Sequence, residues 1–100
     1  MKWTLPLTYF LLIMKPLNLI DWTTKAVRQL RKLDRQHQVT IRDGVATLAA
    51  MPFCHNVVHL TNHAHGYRLR IGDFRVLFNW DGAIKVVEIE EVRKRDERTY

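Results

Sequence analysis

Two turn signals, Gly72-Asp73 and Asp81-Gly82, constrain this chain more than anything else in it, because each stands between runs of alternating apolar and polar residues. Glycine first in a two-residue loop suits one kind of hairpin turn. Asp-Gly suits another, in which both central residues need positive φ. Residues 67–100 therefore read as three consecutive antiparallel strands followed by a basic tail. With Gly72 and Asp73 as the first turn, Ile71 lies opposite Phe74, Arg70 opposite Arg75, Leu69 opposite Val76 and Arg68 opposite Leu77. With Asp81 and Gly82 as the second, Trp80 lies opposite Ala83, Leu77 opposite Val86, Val76 opposite Val87 and Arg75 opposite Glu88.

Side chains alternate between the faces of a strand, so Tyr67, Leu69, Ile71, Phe74, Val76, Phe78, Val87 and Ile89 share one face, the expected core. Arg68, Arg70, Arg75 and Glu88 then meet on the other face beside Leu77, Val86 and Ile84. Like charges directly across a sheet repel by some tenths of a kcal/mol per pair. A sheet that keeps them there is suited to an anion. The plainer alternative is that each guanidinium reaches into water and that Glu88 pairs with Arg75.

Before this hairpin array, residues 17–22 form a short β-rich run ending at Thr23 or Thr24 as a helix N-cap. Ala26, Val27, Leu30 and Leu33 then make an apolar helical stripe, with Lys25, Arg28, Arg31, Lys32 and Arg35 on the remaining surface. Those cations read either as a solvated face or as a surface that steers RNA backbone. Asp34 separates this helix from a second over residues 35–51, striped by Ile41, Val45 and Leu48, interrupted by Gly44 and ended by Pro52. The two helices form a hairpin whose stripes need the apolar sheet face for burial. The fold class is thus α+β, with two N-terminal helices packed on one face of a small, twisted, mainly antiparallel sheet.

Residues 57–60 read as a short strand and 61–65 as a loop. His55, His59, His63 and His65 fall here, but a spacing of four does not bring side chains together on a strand, so no metal site is expected. His63 or His65, just before the arginine strand, could reach its polar face and exchange a proton near neutral pH. From residue 90 onward the mixed charge reads as a solvated terminus. No phosphate loop, Cys-x-x-Cys pair or Ser/His/Asp order is present, and no cofactor is expected.

One hundred residues fit one domain, and a net charge of +6 with a pI near 9.9 calls for an acidic partner, nucleic acid or protein. The single cysteine, Cys54, cannot close an internal disulfide, which suits a reducing compartment. Residues 3–14 are almost wholly apolar, yet too short to span a bilayer as a helix, broken by Pro6, and followed by no small-x-small cleavage site. Met14 stands about three residues before the first strand. Residues 1–13 are therefore read as an N-terminal extension or misassigned start, and residues 14–100 as the single domain.

Three stretches carry a resemblance to a known family: L-N-L-I-D-W-T-T-K-A-V-R-Q-L-R-K-L (17–33), Y-R-L-R-I-G-D-F-R-V-L-F (67–78) and V-R-K-R-D-E-R-T-Y (92–100). The chain resembles the RelE/ParE superfamily of bacterial toxin-antitoxin toxins. That resemblance implies a small cytoplasmic toxin held inactive by a cognate acidic antitoxin, without metal or membrane. RelE-like members cut mRNA in the ribosomal A site by driving a ribose 2′-hydroxyl onto the adjacent phosphate. ParE-like members bind DNA gyrase without that chemistry. The terminal tyrosine favours the RelE-like branch, with ribosome and mRNA as partners.

Carried over by position, the resemblance implies Arg68, Arg70, Arg75, Arg95 and Tyr100 as site residues, with Arg93 and Lys94 the other candidates for the tail cation. Lys25, Arg28, Arg31, Lys32, Arg93 and Lys94 are the expected RNA-binding set. Arginine suits phosphate because its planar fork binds oxygens in pairs and stays charged. RelE-like members often hold a strand lysine where Arg70 stands, and a guanidinium is a poor proton acceptor. Glu88 is the expected substitute base, with His65 or His63 behind it.

Overall fold

The computed structural model describes residues 17–95; the expected extension and Tyr100 lie outside the described residues. The chain runs β1 (Leu19–Trp22), α1 (Thr24–Arg31), α2 (Arg35–Ala46), a 3-10 turn (Thr47–Ala50), β2 (Val57–His59), β3 (Tyr67–Ile71), β4 (Phe74–Asp81) and β5 (Val86–Lys94). These strands form one sheet in the order β1-β5-β4-β3-β2, with β1 parallel to β5 and every other pair antiparallel. Among the described residues no helix is long and apolar enough to cross a membrane.

Both helices begin where a side-chain oxygen satisfies an orphan amide. Thr23 accepts from the amide of Ala26 at 3.1 Å, and Asp34 accepts from that of His37 at 2.8 Å. Between them, Gln38 closes the turn by donating to the Leu33 carbonyl at 2.7 Å. Ala26 and Leu30 of α1, with Ile41 and Val45 of α2 and Leu48 beyond it, are buried against Leu69, Phe74, Val76, Phe78, Val87 and Ile89. Tyr67 and Ile71 pack at the margin of the same cluster. The expected core face is therefore the observed one.

Gly44 marks where α2 crosses β3. A Cβ there would stand 2.5 Å from Cδ1 of Ile71, so any other residue would require that side chain to shift. The helix expected over 35–51 ends earlier, at Ala46, and tightens into the 3-10 turn. Asn18 then ties this segment to the entry of β1: its backbone amide and side-chain amide both donate to the Ala49 carbonyl, and its side chain also donates to that of Met51 at 3.0 Å.

The β3-β4 hairpin has the expected register, from Ile71 opposite Phe74 to Arg68 opposite Leu77. Gly72 supplies it with φ of 54°, as a turn with glycine first requires. The second hairpin differs. Four residues, 82–85, separate β4 from β5, because the Asp81 carboxylate accepts from the amides of Ala83 at 2.9 Å and Ile84 at 3.2 Å and Lys85 closes the loop at φ of 56°. Gly82 serves close approach instead: a Cβ would stand 2.8 Å from the Trp80 ring.

The longer loop moves Val86 opposite Asp81, Val87 opposite Trp80 and Glu88 opposite Asn79. Leu77, Val76 and Arg75 thus lose the partners expected for them. The shift is even, so Val87 and Ile89 still face the core. A bulge then follows, since Phe78 pairs with Ile89 while Leu77 pairs with Glu91, leaving Glu90 as the extra residue. Past it, Val92 takes the core face and is buried, while Glu91 and Arg93 turn to the other side. Residues 90–94 are consequently strand, not solvated tail.

Candidate nucleic-acid interface

The sheet face away from the helices is built in rows. One row runs Arg70, Arg75, Arg93 across β3, β4 and β5; the next runs Arg68, Leu77, Glu91. Arg68, Arg70 and Arg75 thus share one side, as expected, and Arg93 joins them directly opposite Arg75. The backbone amide of Arg95 donates to the Asp73 carbonyl, which brings the chain out of β5 beside the turn that connects Arg70 to Arg75. Partial desolvation and then the charges of Arg68, Arg95 and Arg70 lower the Arg75 pKa from the ordinary arginine value. Four guanidinium groups close enough to act on one another in this way form a concentrated positive field.

Glu88 stands elsewhere. It lies opposite Asn79, so its place on β4 is four residues from Arg75, about 13 Å along the strand at the usual rise. Its neighbours are acidic: a hydrogen bond with Glu90, the charge of Glu90, burial and the charge of Asp21 together raise its pKa from the ordinary carboxylate value. The expected Arg75–Glu88 pair is therefore absent, and the four-residue loop is the cause.

The carboxylate inside the arginine half is Glu91, only 6% exposed. Its Oε1 accepts from Arg93 Nε at 3.0 Å and lies 2.9 Å from Arg93 Nη2 and 3.3 Å from Lys25 Nζ. Its Oε2 lies 3.1 Å from Nε2 of His65. Burial alone would push this carboxyl up, but the hydrogen bonds from Arg93, Lys25 and His65 and the charge of Arg93 outweigh it and hold the pKa below the ordinary value. Lys25 reaches Glu91 from α1 past the end of β1, where β5 has no strand neighbour on that side.

His65 comes from the loop before β3. Gly66 donates to the Asn79 side chain at 2.8 Å, and His63 accepts from the His65 amide at 3.1 Å, so the loop folds back over the strands it precedes. His65 thus reaches Glu91 on β5 from the far side of β4, and Leu77, in the same row, is 5% exposed. Nδ1 of His65 is buried and has no hydrogen-bond partner among the described residues. His59 does not join it, since its ring packs on Tyr67 with centroids 4.9 Å apart. Among the described residues, no three His, Cys, Asp or Glu side chains are grouped so as to hold a metal ion.

Of the expected RNA-binding set, Arg93 lies in the arginine rows and Lys25 touches them through Glu91. Lys94 lies on β5 opposite Phe74, at the edge of the core side. Arg28, Arg31 and Lys32 are exposed on or just after α1, whose buried residues face the core, so they look away from the arginine rows. Sequence reasoning missed Glu91. One signal was available: apolar residues at 87, 89 and 92 break a period of two by one step, which is what a bulge requires.

This fold and this cationic face define a class, and comparison with known proteins agrees with it. The chain belongs to the family described as ParE toxin of type II toxin-antitoxin system, parDE, whose model matches residues 20–99. No curated protein matches. Among solved structures, the toxin-antitoxin complex RelBE2 of Mycobacterium tuberculosis is similar at 25% identity and a TM-score of 0.70, over 79% of this chain and 99% of that one. The RelE-RelB complex of Pyrococcus horikoshii is similar at 22% identity and a TM-score of 0.69, over 80% and 97%. The isolated RelE toxin of E. coli is similar at 16% identity and a TM-score of 0.67, over 80% and 86%. The protein is the toxin of a toxin-antitoxin pair, of RelE/ParE architecture, with its structural neighbours on the RelE side.

Proposed function

We propose that the protein is a RelE-like endoribonuclease that cuts mRNA on the ribosome and so stops translation. The observation that carries this is the row Arg70, Arg75, Arg93 with Arg68 beside it, on one open face of the sheet. Attack of a ribose 2′-hydroxyl on the adjacent phosphate makes a phosphorane whose oxygens gain negative charge, and leaves a cyclic phosphate when the 5′-oxygen departs. Guanidinium groups fixed on a strand stabilise that charge without having to reorganise. Arg68, Arg70 and Arg75 are assigned this role. Arg95, whose backbone amide donates to the Asp73 carbonyl beside the turn, and Tyr100 are assigned to the same site.

The 2′-hydroxyl also needs a proton acceptor. Glu88 sits among acids two rows away, and His65 has Nε2 engaged with Glu91 and Nδ1 buried, so neither is assigned that role. The cognate partner is an acidic antitoxin that neutralises this face, and the working compartment is the cytoplasm, where ribosomes are found.

A second reading has one observation in its favour, the ParE family model itself: gyrase binding without catalysis. Ribosomes programmed with a defined mRNA separate the two. The proposed activity yields cleavage within the A-site codon and a cyclic phosphate end, and Arg75→Ala slows it by about 10²–10³-fold while antitoxin binding persists. Intact mRNA together with inhibited gyrase would establish the second reading instead.

A further inference from the structure

We infer that Glu91 is a positioning residue for the arginine site, acting through Arg93; this rests on the RNA-cleavage reading above. The bulge at Glu90 is what turns Glu91 and Arg93 onto the arginine face. Once there, Arg93 stands opposite Arg75, and two guanidinium groups directly across a sheet repel one another. Left to itself, a side chain 58% exposed would swing into water.

Glu91 prevents this. Nε of Arg93 donates to its Oε1 and Nη2 lies 2.9 Å from the same oxygen, which holds the guanidinium by one edge and leaves the edge that carries Nη1 turned away from the carboxylate. A guanidinium held by one edge keeps the other for a phosphate in a fixed orientation. The carboxylate is itself immobilised by partners from separate parts of the chain, Lys25 of α1 and His65 of the loop before β3. It therefore ties the helix layer and that loop to the orientation of one arginine. Because Glu91 is buried and its oxygens are occupied by partners of the same molecule, it does not oppose the phosphate as an exposed carboxylate would.

The test is a double-mutant cycle on the full chain, read as the single-turnover rate of mRNA cleavage on programmed ribosomes. Glu91→Gln is expected to slow cleavage by about 10-fold to 100-fold, with apparent affinity for the programmed ribosome within about 2-fold. Glu91→Asp should recover part of the loss. In an Arg93→Ala background, Glu91→Gln should cost nothing further. Arg93→Lys keeps the charge but loses the edge, and should be nearly as slow as Arg93→Ala; its surface position keeps the test available should Glu91→Gln fail to fold.

Wild-type rates for Glu91→Gln or Arg93→Lys would overturn the inference, as would independent, multiplicative losses in the double variant. In each of those cases wild-type cleavage leaves the RNA reading standing. A wild-type protein that cuts no mRNA overturns both together.

Discussion

Glu91 gives this molecule a defined acid response. Its carboxyl titrates below the ordinary value of 4.5 in the folded chain, because Arg93, Lys25 and His65 all donate to its ionised form. A carboxylate depressed on folding contributes stability that is complete above its unfolded value and disappears as pH falls through the folded one. Urea midpoints measured from pH 6 down to pH 2 should therefore decline below about pH 4.5, and Glu91→Gln should flatten that limb. A variant whose midpoint falls as steeply as that of the wild type would assign the acid response to other carboxylates. At this scale the sequence was informative about arginines and silent about their counter-charge. Strand parity brings Arg68, Arg70 and Arg75 to one side whatever the fold does next. A glutamate at the start of a charged stretch looks solvated until it is known that a strand runs through it.

Among the elements, the two hairpins show why one register is readable and the other is not. At Gly72 the glycine answers a backbone need, and the two-residue loop follows from it. At Asp81-Gly82 the aspartate caps two amides and the glycine makes room for Trp80, so the same residue types close a longer loop. The helix stripes were legible throughout, because burial at every third or fourth residue has one solution on a flat apolar face. The register of β5 past the bulge is what the site depends on most. Deleting Glu90 would restore a strict period of two and leave the pairs as they are, Ile89 opposite Phe78, Glu91 opposite Leu77 and Val92 opposite Val76, so Glu91 would keep the arginine face and Val92 the core. One alanine inserted between Glu91 and Val92 would instead move Val92 off the core face and bring Arg93 onto it, and a charge among apolar side chains is among the most damaging changes a small core can suffer. Denaturant unfolding should show the insertion losing more than about 3 kcal/mol, whereas the deletion should stay within about 1 kcal/mol of wild type. Equal stability of the two variants would mean that the strand can slip without harm, and that the face of Glu91 and Arg93 is not set by its register.

Across the whole molecule the charge is unevenly spread. The face opposite the helices carries Arg68, Arg70, Arg75 and Arg93 at one end and Asp21, Glu88 and Glu90 at the other, while Arg28, Arg31 and Lys32 lie on the far layer. A polyanion therefore has two cationic surfaces to choose from, and the acidic end limits how far it can run along the sheet. Salt dependence distinguishes the two surfaces. Each phosphate neutralised on a single strand contributes about −0.7 to the slope of log affinity against log salt. If RNA lies on the arginine rows and three guanidinium groups engage it, that slope is about −2 for a short single-stranded RNA titrated by fluorescence anisotropy. Arg75→Ala should then make it shallower by about 0.7, and the paired change Arg28→Ala with Arg31→Ala should leave it unaltered. The reverse pattern would put the strand on α1, leave the arginine rows without a phosphate to stabilise, and remove the physical basis for cleavage on this face.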